Sequence, residues 1–144
     1  MKSVNIGYKD NNKISLAVIK YERPLSDNSD DNSWLTSQVT INVGMFSGQF
    51  SAQLQSHDFI YFRDALKKLF NTLIGQAKFE TIEGQIEIIF MGNGRGGISV
   101  TGCAMDSPGC GNSLDFNFNI DQSYIPNIIC ELDEIISMFS GRMA

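Results

Sequence analysis

Three glycines in this chain stand at the spacing of a nucleotide-binding fingerprint. Gly92, Gly94 and Gly97 form G-x-G-x-x-G directly after QIEIIF, an apolar stretch typical of a strand. That spacing holds the pyrophosphate of a dinucleotide when a helix follows, because the helix N-terminus faces the phosphate groups. The residues that follow, ISVTGC, are β-branched and alternating, which predicts another strand. The context therefore predicts that these glycines turn a hairpin and bind no nucleotide.

The dipeptide Asn93-Gly94 indicates how that hairpin turns. A type I′ turn needs positive φ at both central residues, and Asn-Gly adopts it readily. We therefore predict such a turn, with positive φ at Gly94. Asp115 lies roughly where the fingerprint has its acidic residue, but it belongs to an alternating strand and its side chain is expected on the wet face.

An acidic stretch, DNSDDNSWLTSQ, resembles the start of a calcium-binding loop. Asp27, Ser29 and Asp31 occupy positions 1, 3 and 5 of such a loop. Position 6 holds Asn32 where the loop requires glycine, and position 12 holds Gln38 where it requires glutamate. No flanking helix is predicted, so we interpret the stretch as a solvated loop without a metal ion.

The cysteines and the single histidine do not form a zinc-binding pattern. The spacing of Cys103, Cys110 and Cys130 lacks the close ligand pairs of a structural zinc site, and His57 belongs to a predicted helix start. Three cysteines are an odd number, which argues against a complete disulfide framework. A Cys103–Cys110 bridge across a turn stays open, although a reducing cytoplasm disfavours it. No metal and no cofactor are predicted.

Most constellations of an enzyme are missing from the sequence. There is no G-x-S-x-G elbow and no P-loop, and one histidine cannot supply a site built from several. Glu83 with Glu87, or Asp106 with Asp115, could meet across strands as a glycosidase-like pair. Such enzymes usually need a larger cleft than this chain can build. We therefore predict no enzymatic activity, with a small carboxylate-dependent hydrolase as an alternative.

The charge balance limits the classes of partner. The formal net charge is −5 and the pI is about 4.7, and the 11 basic residues are scattered. Binding to phosphate backbones requires clustered Lys and Arg, so no nucleic-acid partner is expected. An acidic surface favours basic protein partners through faster encounter. No segment approaches the ~20 apolar residues of a membrane span, and no apolar run of a signal peptide is seen. We expect a cytoplasmic protein.

Apolar and polar residues alternate through most of both halves of the chain. Val4, Ile6 and Tyr8 share one face of a first strand, and a second strand pattern contains Ile14, Leu16 and Val18, which predicts a hairpin. A second hairpin is predicted from Trp34 to Gln55. Four further strand segments follow later, within AKFET, QIEIIFM, GGISVTG and SLDFNFNI.

Two segments change to a helical period. Apolar residues three and four apart predict a helix from about His57 to Ile74, with Ser56 as N-cap and Gly75 as the stop. A final helix follows DQSYIP, with Asp121 or Ser123 as its cap and Pro126 in its first turn. The fold class is therefore predicted as α+β in one domain, residues 1–144. An antiparallel sheet of about eight strands, in ββββαββββα order, carries two amphipathic helices on one face.

A contact surface can be suggested only from exposure. Asp27, Asp30 and Asp31 lie in the acidic loop, and Asp106 lies in a later turn. Trp34, the single tryptophan, is either a residue at the edge of the core or a contact anchor of the kind enriched at binding hot spots. These five residues are the predicted partner surface.

Several segments together resemble a known family. WLTSQVTINVGMFSGQF, DFIYFRDALKKLF, GQAKFETIEGQIEIIF and LDFNFNIDQSYIPNIICELDEII are similar to small bacterial immunity proteins of the wall-associated-protein (WapI) type. The resemblance covers roughly residues 34–139, and its most specific part is the last strand leading through DQSYIP into a helix. It implies a cytoplasmic, non-enzymatic protein that neutralises a toxin, often a nuclease, by binding it.

Two other functions remain open beside toxin neutralisation. Exposed edge strands of an open sheet can pair between copies, so the chain could be a self-associating structural or regulatory module, such as a homodimer through an edge strand. The carboxylate-dependent hydrolase is the other alternative.

Overall fold

A computed structural model describes residues 2–7, 11–21 and 33–139 of the chain. Tyr8, Asp27, Asp30, Asp31 and most of the acidic loop lie outside these ranges. The described parts contain eight strands and two α-helices, in ββββαββββα order. They are β1 Lys2–Gly7, β2 Asn12–Tyr21, β3 Trp34–Val43, β4 Phe46–Gln55, α1 Ser56–Thr72, β5 Ile74–Phe79, β6 Ile86–Asn93, β7 Gly97–Met105, β8 Ser113–Asp121 and α2 Ile125–Phe139.

The strands form two sheets, each with four antiparallel strands in chain order. The N-terminal sheet is β1-β2-β3-β4 and the C-terminal sheet is β5-β6-β7-β8. The predicted α+β class, the strand number and the element order are confirmed. The expected single sheet is divided instead, because β4 runs directly into α1 and β5 begins a new sheet beyond that helix. Strongly twisted open sheets of many strands commonly split in this way.

Alternation along the strands builds the shared core. In the N-terminal sheet, Leu16 of β2 lies between Val4 of β1 and Val39 of β3, and all three side chains are buried. Polar residues occupy the opposite face, as expected for antiparallel strands with one wet side. The predicted hairpins and their inward faces are therefore confirmed.

The helices contact each other and cover one edge strand each. Helix α1 packs against β5, and α2 packs against β1. Phe62 of α1 contacts Phe79 and Phe90 of the C-terminal sheet, with ring centroids 5.6 and 5.5 Å apart. Arg63 Nη1 of α1 lies 3.1 Å from Asp133 Oδ1 of α2, which adds an ion pair at the surface of the helix pair.

Helix α1 begins one residue earlier than expected. Gln55, in extended conformation, is the N-cap, and Ser56 is the first helical residue. The backbone N–H of Gln55 donates to Asp58 Oδ2 at 3.1 Å. Burial raises the pKa of the Asp58 carboxyl, while the Gln55 N–H and the charge of His57 oppose that rise. The Gln55 N–H thus holds the Asp58 side chain at the helix start, where it is buried.

The end of α1 explains the glycine cluster. The helix stops at Leu73, which has φ 61° and donates its N–H to Leu69 O, so the predicted stop at Gly75 is wrong. Leu73 O in turn accepts the N–H of Gly94 at 2.7 Å. A Cβ at Gly92 would lie 2.3 Å from the same oxygen. The lack of a side chain at Gly92 therefore leaves space for the end of the helix, and the Gly94 N–H donates a hydrogen bond to its last carbonyl, that of Leu73.

The hairpin between β6 and β7 is confirmed, but its turn differs from the prediction. Gly94 has φ 84°, as expected, and Gly96 has φ 100°. Asn93 does not have positive φ, so the type I′ turn is wrong. Its side-chain oxygen instead accepts the N–H groups of Arg95 and Gly97, at 2.7 and 3.1 Å. Asparagine commonly closes turns by bonding the backbone two residues on.

The last strand reaches α2 through a short 3₁₀ turn, Gln122–Tyr124. Asp121 caps this turn by accepting the Ser123 N–H at 2.8 Å, as one of the two predicted caps. Hydrogen bonds from the Ser123 hydroxyl and N–H lower the pKa of Asp121. Pro126 lies in the first turn of α2, where its missing N–H leaves no intrahelical bond unmade.

Candidate partner-binding site

The apolar faces of the two sheets open to solvent at one end. A cleft of about 240 Å³ lies there, between β4 of the N-terminal sheet and the β7–β8 turn of the C-terminal sheet. Phe46, Gly48 and Phe50 line one side, and Ala104 and Leu114 line the other. We call this feature the inter-sheet cleft. Apolar side chains that line this cleft are partly exposed to solvent.

The alternation of β4 builds one wall of the cleft. Phe46, Gly48 and Phe50 face the inside of the sheet, opposite Val43, Ile41 and Val39 of β3. Gly44 has φ 60° at the first position of the two-residue β3–β4 loop, where glycine suits a type II′ turn. The loop exposes Met45 almost completely, at 99%, and Phe46 follows with 66% of its surface exposed.

Gly48 leaves the cleft partly unfilled. Its φ is not positive, so the backbone does not require glycine, and a Cβ built there meets no atom within 4 Å. Glycine inside a strand costs roughly 0.5–1 kcal/mol relative to alanine. It often marks a place where another chain or a ligand approaches closely. The inward face of β4 therefore has open space between two phenylalanines.

A carboxylate lies at the lip of the cleft. Asp106 accepts the backbone N–H of Asn112 at 2.8 Å, and its own N–H donates to Asn112 O at 3.1 Å. These bonds close the β7–β8 turn and hold the exposed carboxylate beside the cleft. An ionised carboxylate accepts about four hydrogen bonds, so Asp106 can still bind a cation.

Gln85 joins the two sheets next to the cleft. Its buried Nε2 lies 3.3 Å from Ser51 O of β4 and 3.3 Å from Met105 O of β7. The backbone carbonyl of Gln85 also accepts the Met105 N–H at 2.8 Å. The Gln85 side chain therefore holds β4 beside the end of β7.

Two carboxylates of the hydrolase hypothesis, Glu87 and Asp115, lie in one row of the C-terminal sheet. Glu87, Cys103 and Asp115 form one row across β6, β7 and β8. Two strand spacings, about 9.6 Å, separate the backbones of the two acidic residues. Burial, the Asp115 carboxylate and the charge of Glu87 raise the pKa of the Cys103 thiol. A thiol with a raised pKa is a poor nucleophile at neutral pH.

Of the predicted partner surface, the structure describes Asp106 and Trp34, and these two lie apart. Asp106 lies at the inter-sheet cleft with Ile41, whereas Trp34 is half-buried at the start of β3. Seven residues of extended strand, roughly 23 Å, separate Trp34 from Ile41. Asp27, Asp30 and Asp31 lie outside the described residues. The sequence did not identify Phe46 and Gly48 as candidate contact residues, although they alternate with polar residues and lie on the same face of β4 as Phe50.

The described residues, 2–7, 11–21 and 33–139, contain no group of three or more His, Cys, Asp or Glu side chains placed to hold a metal ion. All three cysteines are free, so the Cys103–Cys110 bridge is not formed. Within the same ranges, no helix is both long and apolar enough to span a membrane.

Comparison with known proteins gives a structural likeness and a family. The solved structure of the plant transcriptional regulator PBF-2 is similar over 96% of this chain and 84% of that one, with 10% identity and a TM-score of 0.49. A comparison with curated protein sequences gives no match. The model of the immunity protein WapI-like family matches residues 5–140, nearly the whole chain and more than the resemblance seen in the sequence. This chain belongs to the WapI-like immunity protein family.

Proposed function

We propose that this protein neutralises a toxin by stoichiometric binding, without catalysis, and that the inter-sheet cleft is part of the contact surface. The observation that carries the choice of surface is Phe46, an aromatic side chain with 66% of its surface exposed above an unfilled apolar cleft. Aromatic residues near pockets dominate the free energy of many protein interfaces. Membership of an immunity protein family supports the binding role.

Charge supports a basic partner. The chain carries a formal net charge of −5, and Asp106 places one carboxylate at the lip of the cleft. A toxin that acts on nucleic acid has a basic surface where it meets phosphate, so an acidic inhibitor is attracted to that surface and can cover it. We therefore propose a toxin domain with a basic surface, such as a nuclease, as the partner.

We further propose that residues 1–144 act as one domain in the bacterial cytoplasm, where an incoming or newly made toxin would be met. Toxin and immunity genes usually sit side by side, so the toxin encoded next to this chain is the natural partner to test. Co-expression should restore growth, and affinity capture of a tagged chain should recover the toxin in a complex. A toxic phenotype that persists, with no complex recovered, would refute the proposal.

Self-association is a second candidate, because the described part of the N-terminal sheet keeps one edge that is not paired with a strand. The edge of β1 is occupied at Asn5, whose N–H donates to Glu131 Oε1 of α2 at 2.9 Å. The outer edge of β4 has no strand beside it among the described residues. Light scattering over a range of concentrations separates the two candidates, since a stable dimer without any partner favours self-association.

A further inference from the structure

We propose that the toxin docks by strand addition. An extended segment of the toxin would pair with the outer edge of β4 at Ser47 and Gln49, insert an apolar side chain beside Gly48, and place a Lys or Arg against Asp106. This rests on the proposed function, because it names how the partner is held. Three independent features of the same few residues support it.

The first feature is the direction of the backbone groups along β4. Ser51 pairs with Gln38 of β3, yet its carbonyl accepts from Gln85, which lies outside the N-terminal sheet. The carbonyl of Ser51 is therefore turned away from β3. Backbone groups of an antiparallel strand alternate between its two sides, and the β3–β4 register is regular. The N–H and C=O groups of Ser47 and Gln49 must then face outward as well.

The second feature is the open space at Gly48, between these two residues. In strand addition, main-chain hydrogen bonds supply affinity, and pockets that receive alternate side chains supply specificity. A segment paired with Ser47 and Gln49 would pass directly over the mouth of the inter-sheet cleft. Phe46, Phe50 and Leu114 would then surround any side chain that it inserts. An aliphatic or aromatic side chain suits such walls.

The third feature is the charge at the lip. Asp106 is exposed, is fixed by its bonds to Asn112, and lines the same cleft as Ser47 and Gly48. A Lys or Arg two residues from the inserted apolar side chain lies on the same face of the added strand and would reach this carboxylate. An arginine would suit it best, since guanidinium groups bind carboxylates through two parallel hydrogen bonds. The segment would therefore combine an apolar residue with a basic residue two positions away.

Two of the other edge strands, β1 and β5, contact helices. Helix α2 contacts β1 and bonds its Asn5 N–H, and helix α1 packs against β5. The β4 edge is exposed from Ser47 to Gln49 and there adjoins an apolar cleft with a carboxylate. A second copy of this chain has a net charge of −5 and would be repelled at low salt, which favours a basic toxin segment as the occupant.

Three variants test the proposal against the purified toxin domain encoded beside this chain. Gly48→Val fills the open space, and Gln49→Pro removes an outward N–H that makes no bond to β3. Gln49→Ala is the matched control, because it removes the same side chain but keeps the N–H. We expect Gly48→Val and Gln49→Pro to weaken binding by at least about 10-fold, and Gln49→Ala to stay within about 3-fold of wild type. Thermal unfolding of each free variant verifies its fold.

Amide hydrogen exchange on the unmodified chain gives a readout that does not depend on any variant. We expect the Ser47 and Gln49 amides to exchange quickly in the free protein and to become protected in the complex. If the toxin binds but these amides stay unprotected and Gly48→Val binds normally, strand addition is wrong while the proposed function stands. If the toxin does not bind at all, both fail. Protection that rises with concentration of the chain alone would assign the edge to a second copy and overturn the proposal.

Discussion

Phe46→Ala should weaken partner binding strongly and lower the stability of the fold only slightly. Phe46 keeps 66% of its surface exposed in the free chain. A phenylalanine side chain carries ~200 Å², so a partner that covers the exposed part removes about 130 Å² from water. At ~25 cal/mol per Å² this corresponds to about 3 kcal/mol, or a roughly 100-fold weaker Kd for Phe46→Ala. The part already buried is half as large, so the free energy of unfolding should fall by less than about 2 kcal/mol.

The assay is calorimetric titration of the toxin domain, with urea unfolding of each free variant in parallel. Tyr61→Ala is the matched control, because Tyr61 is also aromatic and is 68% exposed, but it lies on α1 away from the cleft. It should leave the Kd within about 3-fold of wild type, as exposed residues outside an interface contribute little. If Phe46→Ala binds as tightly as Tyr61→Ala, the inter-sheet cleft is not the contact surface.

Three further substitutions test how the fold is held. Gln85→Ala should lower the free energy of unfolding in urea by about 1–3 kcal/mol, because two carbonyls lose a buried donor. Gln76→Ala is its control, since Gln76 is exposed. An equal loss of unfolding free energy in both variants would contradict the role of Gln85. Gly102→Ala should destabilise by about 1–3 kcal/mol, since its Cβ would lie 2.0 Å from Glu87 O, whereas Gly48→Ala should be neutral or stabilising; the reverse order would refute both assignments. Asp58→Asn should exceed wild type in free energy of unfolding by most near neutral pH, and this difference should shrink as the pH falls towards 3.8. Burial raises the pKa of Asp58 in the folded state, so protonation stabilises the wild-type fold as the pH falls. A stability difference that is constant between pH 7 and 4 would exclude this effect.

The local periodicity of apolar residues was sufficient to predict the strands and helices, but not how they assemble into two sheets. Val4 and Ile6 alternate with polar residues, and Phe59 and Phe62 belong to an apolar stripe. Both patterns predict their strand or helix correctly, because each depends on near neighbours in sequence. The division into two sheets depends on which strand edges meet, and no local pattern records that. Leu73 illustrates the difference, since it ends α1 in a left-handed conformation that a sequence rule assigns to glycine. Its carbonyl bonds to Gly94, 21 residues later, and this tertiary contact accompanies the early stop.

The candidate site could be predicted only in part. Asp106 was expected at the surface because it lies in a turn, and the structure places it at the lip of the cleft. Phe46 and Gly48 were missed because alternation indicates which side of β4 they face, but not that the two sheets separate at that end. The same alternation buries Leu54 farther along the strand. Exposure of an inward-facing residue follows from the arrangement of both sheets, which the sequence pattern does not reveal.

Titration of toxin activity tests toxin neutralisation most directly. The purified chain would be added in steps to a fixed amount of the toxin domain encoded beside it, and the remaining toxin activity would be measured. Stoichiometric binding predicts a linear fall that reaches zero near one chain per toxin, with the toxin released intact and active after denaturation and refolding. Toxin that remains active in an excess of the chain would contradict neutralisation, and toxin that is inactivated at far less than one equivalent would show a catalytic mechanism instead.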